Sequence, residues 1–210
     1  MSIINQQNSK LSDIMGLSIY PGRMIAVKKN MREVYELCLA EKSADPIVIL
    51  EKMMSMPTCR MHGPEHHVLV GAALLTAYHN AGGNIELPEA LEELYTRATA
   101  VPGAACGLWG ACGACISTGQ FLSIVTGSGP LAQEPWGRCI QMTSNALNSL
   151  AQIGGPRCCK RDSYLSVLAA IDFAAEQLNI HMDKTMPVCT RSEQNRQCIG
   201  SRCPFFGGKK

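Results

Sequence analysis

The sequence predicts an all-α fold: a single compact helical domain of six or seven helices, followed by an irregular, metal-clamped C-terminal tail. Apolar residues recur at helical spacing through most of the chain, and no alternating strand pattern of convincing length appears. Glycines and prolines punctuate the periodic segments where helices would start and stop. The 210 residues suffice for one self-supporting core, and a composition of 46% hydrophobic against 17% charged residues excludes a disordered chain. Aromatics at 5% offer few stacking platforms for single-stranded nucleic acid, and a net charge of +2 gives no global field. There is thus no clear nucleic-acid signal, and any electrostatic function must be local.

Residues 1–30 read as an N-terminal segment, in which Leu17 to Val27 could hold a short hairpin around Pro21-Gly22. It lacks the charged start, apolar run and cleavage site of a secretory signal, so a cytoplasmic location is expected. The helical domain spans 31–185. Its first helix, Met31 to Glu41, places Val34, Leu37 and Cys38 on one face. Asp45-Pro46 is an N-cap followed by proline at the first helical position, opening a helix that Pro57 stops. The third helix starts at Pro64 and ends at Gly82-Gly83. Its apolar stretch, Val68 to Tyr78, has eleven residues, short of the roughly 20 that span a membrane, so it reads as a buried helix.

A fourth helix begins at Pro88, with Glu89, Glu92 and Glu93 near its positive end. The glycine-rich stretch from Ala104 to Gly119 implies close backbone packing, close approach to a ligand, or both, and continues as a helix to Gly127. Another helix spans about Trp136 to Ile153, before Gly154-Gly155-Pro156. Asp162 or Ser163 then caps a last long helix to Leu178. The tail, 186–210, has three cysteines and only Val188, Ile199, Phe205 and Phe206 to pack. Such a segment needs a clamp to offset its ordering entropy.

Eleven cysteines in a chain of this length and type are candidates for metal ligation or thiol chemistry before disulfides. Cys189, Cys198 and Cys203 are spaced C-x8-C-x4-C and followed by Pro204, a set of soft ligands suited to an iron–sulfur cluster of the 4Fe-4S type, or alternatively to zinc. A fourth ligand is expected from Cys158 or Cys159, whose side chains should diverge; Arg157, Lys160, Arg161 and a helix start nearby favour thiolate there. Cys106, Cys112 and Cys115 form C-x5-C-x2-C. A thioredoxin-like dithiol would want a βαβ context that is missing, so cluster ligation, a thiolate pocket, or plain packing of small residues are the readings. His62-x-x-Glu65-His66 matches an inverted zinc-protease pattern, but Pro64 starts a helix after His62 and spoils it. His66 and His67, in one helical turn, should not both face one site; His66, with Glu65 or Cys59 nearby, is expected to face the cysteine-rich pocket and move protons.

Taken together, MHGPEHH, PGAACGLWGACGA, IGGPRCCKRD and the C-x8-C-x4-CP tail resemble an uncharacterised cysteine-rich domain family of anaerobic bacteria and methanogenic archaea, sometimes found beside a methyltransferase domain. The resemblance covers about residues 45 to 206 and implies an anaerobic setting, which favours iron–sulfur clusters over zinc.

The expectation is therefore a cytoplasmic iron–sulfur protein, an enzyme of sulfur or thiol chemistry such as a sulfur transferase or lyase, using an open cluster iron as Lewis acid. Cys158, Cys159, Cys189, Cys198 and Cys203 are the candidate metal ligands, and His66, Glu65 and Cys112 the candidate catalytic groups. Its partners would be a small-molecule substrate or sulfur donor, with a homodimer or a methyltransferase as protein partner. The alternative is a zinc- or cluster-stapled adaptor, or a redox or metal sensor without turnover.

Overall fold

The computed structural model describes residues 29–208. The expected hairpin at Leu17 to Val27 lies outside them. Eight helices follow in order: α1 (Lys29–Ala40), α2 (Pro46–Met54), α3 (Glu65–Asn80), α4 (Leu87–Thr99), α5 (Ala105–Leu108), α6 (Gly113–Thr126), α7 (Glu134–Ile153) and α8 (Cys159–Leu178). A 3-10 turn, Gly200–Arg202, lies in the tail, and the described residues form no strands. The fold is all-α; the short α5, inside the glycine-rich stretch, takes the number one above the expected range. No helix among the described residues is long and apolar enough to cross a membrane.

The architecture is organised around α3, which is apolar on every face from Val68 to Tyr78 and so must be surrounded. It packs against α1, α2, α4, α6 and α8. Gly71 sets how closely they approach: a Cβ there would lie 2.5 Å from Leu94 Cδ1 and 2.6 Å from Ser117 Oγ. The Gly71 N–H also donates to that hydroxyl at 2.9 Å. Helix α6, rich in small residues, forms the second layer against α3, α4, α7 and α8. Tyr78 meets Phe121 edge-on, with centroids 5.8 Å apart, where α3 crosses it.

Asp45 caps α2 as expected, accepting from Ile47 N at 2.8 Å and Val48 N at 3.3 Å. Its other oxygen accepts from Thr185 N at 2.8 Å, which fixes the chain leaving α8 to the start of α2. The start of α8 differs from the expectation. Cys158 is the N-cap, and Asp162 sits within the first turn and reaches back to the Cys158 N–H at 3.4 Å. The carboxylate that reads as a cap in the sequence is the returning partner of one.

The tail runs irregularly over α8 and the end of α2. Phe205 is buried edge-on against Tyr164, with centroids 5.2 Å apart. Arg191 reaches Glu51 at 2.9 Å and Ser55 at 2.8 Å, and Cys189 N donates to Phe205 O at 2.7 Å. These protein contacts supply a clamp that the sequence did not reveal.

Because the α3 crossing depends on a missing side chain, Gly71→Ala should overpack it and lower stability by about 1–3 kcal/mol. Urea unfolding checks this, and an unchanged midpoint would mean that Leu94 and Ser117 give way at no cost.

Candidate metal centre and adjoining cavity

The start of α8 divides the candidate residues between two sites. Cys158, in extended conformation at the cap, lines a recess with Cys189, Cys198 and Cys203. Cys159, the next residue, lines a separate cavity with Cys106 and Cys112. The expected divergence of the adjacent cysteines is therefore present, and the structure joins Cys158, not Cys159, to the tail.

In the recess, each tail cysteine has a backbone N–H two residues on. Arg191 N donates to Cys189 Sγ at 3.4 Å, and Gly200 N to Cys198 Sγ at 3.4 Å. At Cys203 burial raises the thiol pKa, opposed by the Phe205 N–H. Asn195 Nδ2 donates to Cys158 Sγ at 3.4 Å. Donors aimed at sulfur are what a metal–thiolate site requires of its surroundings. Among the described residues no three of these four sulfurs lie within 4.8 Å of one another. A tetrahedral zinc, with Zn–S of about 2.3 Å, would hold its sulfurs at about 3.8 Å.

Two buried cations border the same recess. Lys160 is 1% exposed and Arg161 is 5% exposed. Arg161 donates to Asp162 at 3.1 Å and to the Pro156 carbonyl at 3.0 Å, while its Nη1 is buried without a partner among the described residues. A buried guanidinium nitrogen left unpaired is costly unless an anion completes it.

Lys160 turns toward a second group. Its Nζ lies 3.0 Å from Cys59 Sγ and 3.5 Å from the Met54 carbonyl. Cys59, Glu65 and His66 offer ligand atoms within 4.8 Å of one another, a set that can hold a metal. Both Glu65 oxygens, however, are engaged by Arg60, at 2.7 Å and 3.1 Å. Burial raises the Glu65 pKa, but these bonds outweigh it and hold the carboxyl below its ordinary range. His66 Nδ1 lies 3.0 Å from the Gly63 carbonyl, which can only accept, so Nδ1 carries the proton and the Nε2 lone pair faces Cys59 Sγ at 3.8 Å.

The cavity beyond has a volume of about 190 Å³ and is bordered by His62, His66, His67, Cys106, Cys112, Arg157, Cys159 and Asp162 among others. His66 and His67 both border it, contrary to the expectation that only one could face a site. The cavity wraps the first turn of α3, including Gly63 and Pro64, so diverging side chains reach it from two sides. The pairing of the glycine-rich stretch with the histidine turn is as expected; the tail cysteines are not part of this cavity. His67 lies against Gly113, where a Cβ would meet ring atoms at 2.3–2.4 Å, and its Nδ1 is 3.3 Å from the Val101 carbonyl.

Cys112 is the N-cap of α6, with Cys115 one turn on and fully buried. The hydrogen bond from Cys115 lowers the Cys112 pKa, against the effect of burial. Cys158 and Cys159 differ from the expected thiolates: burial raises both, Cys159 to about 11. Two of their three flanking cations are committed elsewhere, Lys160 to Cys59 and Arg161 to Asp162, and Asp162 adds negative charge beside them, which Arg157 only partly offsets at Cys159.

A bridge joins the two sites. Cys159 N donates to His62 Nδ1 at 3.5 Å, and His62 Nε2 lies 3.1 Å from Asn195 Oδ1. Asn195, 7% exposed, carries no signal in the sequence beyond its place between two tail cysteines. The pairing of Lys160 with Cys59, 101 residues apart, was equally hidden.

Burial pushes His66 down from the ordinary 6.5 to about 3, so it is neutral when folded near pH 7. The unfolded chain takes up a proton near pH 6.5 and the folded one only near pH 3, so stability falls as pH drops through that window. Urea midpoints of metal-free protein between pH 7 and pH 5 should fall with pH, and less steeply in His66→Gln. Parallel profiles for the two proteins would contradict the assignment.

No curated protein and no solved structure matches the chain. A family model described as "Family of unknown function (DUF5714)" matches residues 34–206, from α1 through the tail cysteines to Phe206. That span takes in the helical core, both sites and the bridge between them, and the chain belongs to this family.

Proposed function

We propose that this is an iron–sulfur protein whose cluster is held by Cys158, Cys189, Cys198 and Cys203, with thiol or sulfur chemistry on a small molecule in the adjoining cavity. One observation carries the reading: four cysteines from a helix cap and three tail turns line one recess together with Arg161, whose Nη1 is buried with no hydrogen-bond partner among the described residues. Four thiolates on a cluster make a net anion, the partner that Arg161 Nη1 lacks, and Lys160 lies beside it. The wide spacing of the sulfurs suits a polynuclear cluster better than a single zinc. The enclosed space is about 20 Å³, so accommodation falls to the tail, where Cys198 is exposed and best placed to move outward. A cluster held by Cys158, Cys189 and Cys203, with the exposed Cys198 as the most readily released ligand, would supply Lewis-acid chemistry. In the cavity, Cys112 is the best-placed nucleophile. His66 and Glu65 position Cys59 and Arg60 and are removed from direct acid–base work by burial and ion pairing.

A structural staple, zinc or cluster, is the second reading. The contacts of Arg191 and Phe205 favour it, since they make the tail part of the domain's own packing.

Anaerobic purification with iron, zinc and acid-labile sulfide analysis tests both. Iron and sulfide should be present together and fall severalfold in Ser variants of Cys158, Cys189, Cys198 or Cys203, while Cys159→Ser retains them. Zinc without sulfide would replace the cluster by the staple, and full metal in all four variants would overturn both readings.

A further inference from the structure

We propose that Cys112 and Cys115 are a redox-active dithiol that reduces a small carboxylate-bearing disulfide in the cavity, Cys112 attacking and Cys115 resolving. This deepens the thiol-chemistry half of the reading above and stands without the cluster.

The geometry divides the two sulfurs between two roles. Cys112 borders the cavity, while Cys115, one turn later, is 0% exposed with its sulfur 3.4 Å from Ser166 Oγ. A spacing of i, i+3 brings side chains to one helix face, within the Cα span of about 4.4–6.8 Å that a disulfide bridges. The residue between them and nearest the cap is Gly113, and the missing side chain there lets the His67 ring lie beside the cap. The Val101 carbonyl keeps the His67 proton on Nδ1, so Nε2 presents a lone pair. A βαβ unit is therefore not needed to activate this C-x2-C pair. The start of a 14-residue helix, an adjacent imidazole and a buried partner thiol supply the same conditions. Arg157 is exposed, has no ion-pair partner among the described residues and borders the same cavity, which suits a carboxylate on the substrate.

The step balances without a further reagent. Cys112 gives its proton to His67 and its sulfur attacks the substrate disulfide; the S–S bond breaks, a mixed disulfide forms, and the leaving thiolate takes the proton back from His67. Cys115 then attacks the Cys112 sulfur, and its own proton passes to the second leaving thiolate. The substrate gains two electrons and two protons and departs as two thiols, leaving a Cys112–Cys115 disulfide.

The test uses full-length protein reduced with dithiothreitol and desalted anaerobically. It is mixed with cystine, or with cystamine, which lacks carboxylates, and quenched for peptide mass mapping. Cystine should give the Cys112–Cys115 disulfide, with Cys112 reacting about tenfold faster than Cys106 in the same cavity. Cys115→Ser should trap a half-cystine on Cys112, and Arg157→Ala should remove the preference for cystine over cystamine. Iron content, measured in parallel, should be unchanged in Cys112→Ser and Cys115→Ser, so loss of the cluster reading leaves this result intact. Cys112 and Cys115 both reduced while other cysteines oxidise, or Cys112 joined to Cys159, would overturn the proposal. So would loss of iron in Cys112→Ser, which would make Cys112 a cluster ligand.

Discussion

Two buried cations in the first turn of α8 are the constraint around which both sites are arranged. Lys160 and Arg161 sit at the positive end of a 20-residue helix, where the macrodipole disfavours them, and both are almost wholly removed from water. Each must find negative or lone-pair partners at once. Lys160 takes Cys59 Sγ and the Met54 carbonyl, which ties the loop after α2 to α8. Arg161 takes Asp162 and the Pro156 carbonyl, which folds the Gly154 to Pro156 turn beneath the helix start. The nitrogen left over, Nη1, is buried without a partner among the described residues, on a side chain that also lines the cysteine recess. Replacing either cation by a neutral residue would thus alter both the fold of the turn and the electrostatics of the thiolates, and the two effects share one cause.

Small residues serve two different ends in this molecule. At Gly71 and Gly119 the missing side chain lets helices cross: a Cβ at Gly119 would lie 2.1 Å from Thr143 Oγ1. At Gly113 the space is given to the His67 imidazole beside a cysteine cap, at the edge of the cavity. One glycine-rich stretch therefore holds both the tightest helix contact and the edge of a cavity. This explains why the composition alone left close packing and ligand approach undecided.

What the sequence made legible follows from local rules. The Asp45-Pro46 cap, the apolar middle of α3 and the divergence of Cys158 from Cys159 all depend on residues close to one another in sequence. What it concealed depends on distant partners. Asp162 reads as a cap because its return to the Cys158 N–H is visible only once the helix exists. The thiolate argument for Cys158 and Cys159 failed because both thiols are buried, and because two of the three cations adjacent in sequence pair with Cys59 and Asp162 in space. The tail looked unable to order itself because its anchors, Glu51, Ser55 and Tyr164, belong to helices more than a hundred residues earlier or to the buried face of α8.

The bridge of His62 and Asn195 gives the division into two sites its consequence. His62 accepts from the backbone of Cys159 on the cavity side and faces the Asn195 amide oxygen, while the amide nitrogen of Asn195 donates to Cys158 on the recess side. With its Nδ1 accepting, a neutral imidazole must carry its proton on Nε2, which fixes the direction of every hydrogen bond in the chain. Asn195 cannot leave Cys158 without also releasing His62, and His62 cannot turn without freeing the first N–H of α8. Two side chains and one peptide group thus link the cysteine recess to residues that border the cavity. Two adjacent cysteines at a single helix start form the shortest covalent link between the cysteine recess and the neighbouring cavity, and this bridge spans the same boundary through hydrogen bonds.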